Sequence, residues 1–149
     1  MRSVIQRVSN CRVCVAESVV GQIGNGLLVL LGVERGDSQV DLHYTAEKIL
    51  GLRIFNDPDG KMNLSVRDIG GEILVVSQFT LLGDVRRGRR PSFINAAAPE
   101  EGKQFYLQMI EYMREQGVTV QTGQFQADMQ VELTNDGPIT ILIDSRKTF

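Results

Sequence analysis

The order of apolar and polar positions along the chain predicts a sheet-dominated core with two main helices. Two almost unbroken apolar runs, 27–33 and 73–76, have the composition of strands that are buried on both faces. In 42–50 and 105–113 the apolar residues instead recur at helical spacing. We therefore predict the α/β (α+β) class and a single compact domain that spans residues 1–149. The predicted apolar faces of the two helices are Leu42, Thr45, Ala46, Ile49 and Leu50, and Phe105, Met109, Tyr112 and Met113.

Two breaks in the alternation predict strand boundaries. The apolar parity switches near Ser9-Asn10, which we interpret as a turn or bulge between two paired strands. The Asn-Asp-Gly-Pro segment at 135–138 has the composition of a tight turn at a sheet edge. Its proline lacks an N–H donor, and X-Pro bonds can be cis. We predict separate strands on either side of this turn, at 129–133 and 139–144.

The central run at 73–76 continues into residues of different chemistry. Ser77, Gln78 and Thr80 are interleaved with Phe79, and no glycine or proline ends the strand, so we predict that the strand continues through them. Burying hydrogen-bonding side chains costs free energy unless they find partners. Two interpretations remain open: these groups bond loop backbone at the end of a core strand, or the strand ends in a pocket where a ligand is their partner.

Composition excludes several classes of protein. With 42% hydrophobic and 23% charged residues the chain has the composition of an ordinary globular protein, and its longest apolar run is too short to cross a bilayer. The N-terminal residues contain no apolar signal core, so we expect a cytoplasmic protein that does not bind a membrane. Two cysteines exclude a disulfide framework and favour a reducing compartment.

Residues that usually carry metal or imidazole chemistry are scarce. Cys11 and Cys14 have C-x-x-C spacing, but residues three apart on a strand face opposite sides, and there is no second pair. We expect both to be packing residues, and we expect no metal and no cofactor. His43 is the single histidine, so a His-dependent triad would rest on it alone. A hydrolase with this sequence must therefore use backbone donors, hydroxyls or the substrate itself.

A basic cluster stands out in a chain whose formal net charge is only −2. Guanidinium groups bind phosphate oxygens well, and Phe93, which follows shortly after, is able to stack on a base. The alternative interpretation is a solvated loop without a partner, and the cluster alone does not decide between the two. The arginines predicted to contact nucleic acid are Arg86, Arg87, Arg89 and Arg90.

Two segments, 77–81 (Ser-Gln-Phe-Thr-Leu) and 135–140 (Asn-Asp-Gly-Pro-Ile-Thr), together resemble the paired signature motifs of the D-aminoacyl-tRNA (D-tyrosyl-tRNA) deacylases. Each short match alone is weak, but an ordered set over essentially the full length is specific. The resemblance implies a D-aminoacyl-tRNA deacylase-like fold with a barrel-like sheet core. Further matches in family order lie at 5–8, 26–33, 53–56, 61–64, 90–93 and 127–131.

The resemblance also implies a homodimer whose active sites lie at the subunit interface. Gly137-Pro138 would be cis and would reach into the pocket of the partner subunit, where it leaves no room for an L side chain. Glycine, which has no side chain, would be admitted. The neighbouring residues Asn135, Ile139 and Thr140 would complete this substrate-binding, chirality-selecting element.

The first motif would form the catalytic floor of the pocket. Ser77, Gln78, Phe79 and Thr80 would hold the terminal adenosine and the ester, and backbone amides would stabilise the oxyanion. The family uses the 2′-hydroxyl of the last tRNA ribose instead of a protein side chain, which agrees with the missing triad. The implied function is hydrolysis of D-aminoacyl-tRNA, and of mischarged glycyl-tRNA, to free amino acid and tRNA.

Three alternatives have different consequences. A non-catalytic RNA-binding module that uses the 86–90 loop would bind RNA without turnover. A structural dimerisation domain would not bind tRNA even at low salt. A conventional esterase with Thr80 as nucleophile would form a covalent acyl-enzyme and would lose all activity in Thr80→Ala.

Overall fold

A computed structural model describes residues 1–149 and contains eight strands, two α-helices and one short 3₁₀ helix. No helix is both long enough and apolar enough to span a membrane. The strands are β1 (Arg2–Val15), β2 (Ser18–Ile23), β3 (Gly26–Gly32), β4 (Phe55–Asn56), β5 (Met62–Leu64), β6 (Glu72–Ser77), β7 (Thr119–Thr122) and β8 (Gln130–Asp144). The helices are α1 (Gln39–Gly51), the 3₁₀ helix (Phe79–Leu82) and α2 (Pro99–Glu115).

Six strands form one sheet that curves into a nearly closed barrel. Its order is β2-β1-β3-β6-β7, and β8 pairs with the other edge of β1. The strands β3, β6 and β7 run parallel, whereas β1 is antiparallel to β2, β3 and β8. Gly21 lets β2 approach β7, because a Cβ atom there would lie 2.3 Å from the Thr122 carbonyl oxygen. The predicted fold class, with a barrel-like core and two helices, is confirmed.

Helix α1 forms as its sequence predicts. The Ser38 backbone N–H and hydroxyl both donate to the Asp41 carboxylate at 2.8 Å and cap the helix. Burial of the Asp41 carboxyl opposes ionisation, but hydrogen bonds from Ser145 and Ser38 outweigh it and lower its pKa to about 2. The five residues of its predicted apolar face are all buried: Leu42, Thr45, Ala46, Ile49 and Leu50.

Helix α2 presents a slightly different face to the core than predicted. Phe105 and Tyr112 pack against the core, as expected for the apolar face, but both side chains are only partly buried. The Tyr112 hydroxyl donates to Glu47 at the surface at 2.6 Å, and the Tyr106 hydroxyl donates to the Val75 carbonyl oxygen at 3.0 Å. Each tyrosine thus packs its ring against the core and bonds its hydroxyl to a polar partner. The buried residues of α2 are Tyr106, Met109, Ile110 and Met113.

Two predicted strand boundaries are wrong. The parity switch near Ser9-Asn10 is one of the two predicted features, a bulge, seen as a register shift between Val8 and Asn10 in the pairing with β8, but it lies inside the single strand β1 and not between two strands. The strands predicted at 129–133 and 139–144 are the two ends of β8, because β1 is long enough to pair with both. The Asn-Asp-Gly-Pro segment is therefore not a hairpin turn, and the chain leaves and rejoins the sheet in the same strand.

Candidate active site

The first signature segment begins where β6 ends. Directly after the strand, the Gln78 N–H donates to the Leu31 carbonyl oxygen of β3 at 2.7 Å. The strand stops at Ser77 and the 3₁₀ helix follows, so the prediction that the strand continues through Thr80 is wrong. The polar residues lie just beyond the carboxyl end of a central parallel strand, which is a common position for ligand sites.

Close packing attaches the 3₁₀ helix to the core. Leu82 is only 2% exposed. A Cβ atom at Gly32 in β3 would lie 2.5 Å from Leu82 Cδ2 and 3.0 Å from the Gln78 carbonyl oxygen. Glycine at position 32 therefore lets the helix lie directly on the sheet, and the position of the first signature segment depends on this contact.

Some polar groups of the segment are paired and others are not. The Gln78 side-chain amide donates to the Thr80 hydroxyl. The backbone N–H groups of Phe79 and Thr80, in contrast, have no acceptor within the 3₁₀ helix, whose hydrogen bonds begin with the Leu81 N–H donating to the Gln78 carbonyl oxygen at 3.2 Å. The Gln78–Thr80 contact joins two side chains of the segment and does not involve loop backbone, while the two backbone donors at the start of the helix are available to a ligand.

These residues form part of the wall of a cavity of about 680 Å³, a volume typical of small-molecule sites. Eleven of the 16 lining residues are hydrophobic, so the few polar groups determine how a ligand is oriented. The rings of Phe79 and Phe93 meet edge to face, with centroids 5.1 Å apart. The lining residues include Ser77, Gln78, Phe79, Phe93, Phe125, Gln126 and Met129.

No residue that lines this cavity has an ionisable side chain. His43 is exposed on α1, where its ring lies edge-on to Tyr112. Tyr106 packs against Phe125, and burial raises the pKa of its hydroxyl to about 12. Burial likewise raises the pKa of the Cys11 thiol to about 11, so this thiol stays protonated at neutral pH. The cavity can therefore act on a ligand through shape and backbone donors, but not through an acid–base side chain.

The second signature segment leaves the sheet in the middle of β8. The register with β1 shifts so that residues 136–139, called the excursion below, stand opposite Arg7 alone. The Gly137–Pro138 peptide bond is cis, as the resemblance implies, and Gly137 has φ of 123°. A Cβ atom at Gly137 would lie 2.7 Å from Ile139 Cγ1 and 2.9 Å from Ile139 N, so this backbone requires glycine.

Polar contacts at the base of the excursion hold it in place. Arg7 is 8% exposed and donates to the Ile54 carbonyl oxygen at 2.7 Å. Its Nε lies 2.9 Å from Asp136 Oδ2, but the N–H is not aimed at that oxygen, so the contact is an ion pair and not a hydrogen bond. The Asn135 amide donates to the Ile139 carbonyl oxygen at 3.2 Å.

The two signature segments do not meet within one chain. None of residues 135–140 lines the cavity that the first segment helps to form. Gly137 and Pro138 are exposed, and β8 pairs with β1 on one edge only. Leu142 on the same strand is 58% exposed. The second segment is thus presented outward on an edge strand, where another chain is able to contact it.

The basic cluster lies on a closed loop, residues 84–92, called the arginine loop below. Two backbone hydrogen bonds between Asp84 and Ser92, of 2.8 and 2.9 Å, close it. Arg86 donates to the Asp84 carboxylate at 2.9 and 2.6 Å, which holds the pKa of that carboxyl well below its usual range. The other guanidinium groups are exposed and have no acid within ion-pair distance: Arg87, Arg89 and Arg90.

The fold and the site define a nearly closed barrel with a mainly apolar cavity at the end of a central strand, and no ionisable side chain lines that cavity. The family profile described as D-Tyr-tRNA(Tyr) deacylase matches residues 4–144, and the chain belongs to this family. Proteins named D-aminoacyl-tRNA deacylase from Thermotoga petrophila and Clostridioides difficile are 58% and 60% identical to it over 149 residues. In both cases 100% of each chain is covered.

Two solved structures have the same fold. The structure of a c-Myc DNA unwinding element binding protein has a TM-score of 0.92 and 40% identity, covering 97% of this chain and 98% of its own. A probable eukaryotic D-amino acid tRNA deacylase has a TM-score of 0.80 at 20% identity, covering 95% and 97%, and this likeness concerns the fold. The predicted family and enzyme class are therefore confirmed.

The structure locates the predicted residues without testing their roles. Ser77, Gln78 and Phe79 line the cavity together with Phe93, whereas Thr80 is adjacent to it. The wall contributed by residues 125–131 was missed, although part of it, 127–131, belongs to the stretches that resemble the family. Its conformation depends on a turn that residue types do not reveal.

Proposed function

We propose that the chain is a single D-aminoacyl-tRNA deacylase domain, spanning residues 1–149, that hydrolyses the ester of D-aminoacyl-tRNA and of mischarged glycyl-tRNA. The deciding observation is that the first signature segment lines a cavity without any ionisable side chain. Such a cavity suits a substrate that is already activated and that supplies its own proton acceptor. Because the substrate belongs to translation, a cytoplasmic location is part of this proposal.

The 2′-hydroxyl of the terminal ribose assists the attack of water on the ester carbonyl in this mechanism. The N–H groups of Phe79 and Thr80, which have no acceptor within the 3₁₀ helix, are the donors for the oxyanion of the tetrahedral intermediate. Ser77 and Gln78 position the adenosine and the ester beside these donors. The Thr80 hydroxyl already accepts the Gln78 amide and has no base beside it, so it is not the nucleophile.

Chiral selection is proposed to come from the partner subunit of a homodimer. The excursion is exposed on an edge strand and does not reach the cavity of its own chain, as expected for an element that serves a second copy. Its Gly137-Pro138 backbone would face the α-carbon of the substrate and exclude an L side chain. Asn135, Ile139 and Thr140 hold that backbone in position.

The arginine loop is proposed to bind phosphates of the tRNA. The exposed guanidinium groups of Arg87, Arg89 and Arg90 have no internal acid, and Phe93, next to the loop, contacts Phe79 in the cavity. The loop therefore lies close enough to the cavity to hold the nucleotides that precede the terminal adenosine. Arg86 is bound to Asp84, and its contribution is to shape the loop.

The experiment that tests the function compares release of D-Tyr and L-Tyr from tRNA by the purified protein with a chelator present. We expect rapid release of the D ester alone, unaffected by chelation. A substrate that ends in 2′-deoxyadenosine should react at least ~100-fold more slowly if the 2′-hydroxyl assists the attack. Equal release of D-Tyr and L-Tyr would remove the chiral pocket from the proposal.

A nucleic-acid-binding module without catalysis is the second candidate, because a structural neighbour is named for binding a DNA unwinding element. It predicts tRNA binding without release of either amino acid. The Thr80→Ala variant distinguishes the proposed function from an esterase that uses Thr80 as its nucleophile. Such an esterase would lose all activity in the variant. We expect this variant to retain most of its activity, because the Thr80 hydroxyl serves only as a partner of Gln78.

A further inference from the structure

Gln126 occupies a backbone conformation that its residue type disfavours. It is the third residue of the turn 124–127, which the Ala127 N–H closes by donating to the Gln124 carbonyl oxygen at 3.2 Å. Its φ is 62°, in the left-handed region that such turns normally fill with glycine or asparagine. Outliers of this kind concentrate at functional sites, so the role of the side chain is informative.

The same residue lines the cavity. Ser77, Gln78 and Gln126 are the lining residues with hydrogen-bonding side chains. The Gln78 amide is already bonded to the Thr80 hydroxyl, whereas the Gln126 side chain has no partner in the protein. Among mainly apolar walls, the Gln126 carboxamide therefore offers an acceptor and two donors to a ligand.

We infer that Gln126 is a specificity-determining residue that recognises the polar edge of the base at the tRNA 3′ end, which rests on the proposed function. Adenine presents an acceptor, N7, beside a donor, the 6-amino group, and a carboxamide pairs with both. The rings of Phe79, Phe93 and Phe125 line the same cavity and provide surfaces on which a base can stack. The amino acid varies among substrates but the terminal base does not, so a fixed amide suits the base.

The test is a double-mutant cycle between this side chain and one group of the substrate. Two RNA minihelices charged with D-Tyr differ only in the last nucleoside, which is adenosine or purine riboside, a nucleoside without the 6-amino group. For the unmodified protein we expect kcat/KM to be about tenfold lower on the purine riboside end. Gln126→Gly should hydrolyse the two substrates at rates within about twofold of each other, because the group that distinguishes them is gone.

The glycine variant separates recognition from folding. Glycine is preferred at this φ, so the melting temperature of Gln126→Gly should not fall. Gln126→Asn tolerates the left-handed region and keeps an amide on a shorter side chain, and it should restore part of the discrimination. A purely structural role would instead lower kcat/KM on both substrates by the same factor.

Three results would overturn the inference. If the unmodified protein releases D-Tyr with equal kcat/KM from the adenosine and the purine riboside substrates, the inference about Gln126 is overturned while the proposed function stands. A tenfold preference that persists in Gln126→Gly would assign base recognition to other residues. Failure of the unmodified protein to release D-Tyr from any substrate would overturn the proposed function, and the inference with it.

Discussion

Residues 77–82 and the excursion at 136–139 carry the two signature motifs, but they are attached to the molecule in different ways. The first segment continues a buried central strand, and Leu82 beneath it is 2% exposed. The excursion is exposed and is held at its base by Arg7 and Asn135. In the first region, function and stability should therefore change together. In the second, function can be lost while the fold remains.

The largest effect is expected for Leu82→Ala, which removes the contact between the 3₁₀ helix and β3. Deleting a buried leucine side chain should lower the free energy of unfolding by about 2–5 kcal/mol and should also reduce deacylation. Urea denaturation and D-Tyr release measure the two quantities. Leu107→Ala on α2, where the side chain is 51% exposed, is the control and should stay within about 0.5 kcal/mol. Unchanged stability in Leu82→Ala would contradict the first half of the comparison.

Gly137→Ala should damage activity more than stability. The added Cβ would lie 2.9 Å from Ile139 N and displace the excursion, and we expect D-Tyr release to fall by about 100-fold. The matched control is Gly60→Ala, where φ is also positive but no atom lies within 4 Å of the new Cβ. Both variants carry the same kind of backbone penalty, so similar deacylation rates for the two would show that the excursion is not part of the site.

Arg7→Lys keeps the charge but loses the planar guanidinium, which contacts both the Ile54 carbonyl oxygen and the Asp136 carboxylate. We expect the ratio of D-Tyr to L-Tyr release to fall by about tenfold, because the excursion is less firmly positioned. Arg12→Lys is the control: Arg12 forms a similar cross-strand contact with Glu132, at 2.9 and 2.7 Å, but it lies away from the excursion and is solvent-exposed. An equal change of the ratio in both variants would argue against a specific role of Arg7.

The smallest effect is expected in the arginine loop. Arg87→Ala should weaken tRNA binding a few-fold and reduce the slope of log K against log salt by about one, as for the loss of one phosphate contact. Arg86→Ala should change the slope less, because its guanidinium is bound to Asp84. The two slopes are obtained by measuring the tRNA affinity of each variant at several salt concentrations. A larger change of slope in Arg86→Ala would reverse the assignment of the two residues.

The contact between Asp84 and Arg86 also has a pH dependence of known sign. Hydrogen bonds from Arg86 lower the pKa of Asp84 in the folded protein. The contact is therefore fully present above the ordinary carboxyl pKa of ~3.9 and is lost only as the pH falls through the lower folded value. The Arg86→Ala and Arg87→Ala variants should therefore differ in the salt slope of tRNA binding by the same amount at pH 5 and at pH 8.

Local patterns were sufficient for the central strands, for the capped helix α1 and for the family. Each of these depends on residue types within a few positions, such as the Ser38–Asp41 capping box, or on an ordered series of short matches. They also showed that a histidine-based triad would rest on His43 alone, and the structure places this residue on the exposed face of α1 and not in the cavity. The scarcity of histidine had already directed attention to backbone donors and to the substrate.

Contacts between residues far apart in the sequence determined the features that local patterns did not predict. The end of β6 depends on the Gln78–Leu31 hydrogen bond, and β8 is one strand because β1 pairs with it on both sides of the excursion. The cavity wall that contains Gln126 depends on how the turn at 124–127 folds over the sheet end. Such contacts join positions tens of residues apart along the chain, and no local periodicity encodes them.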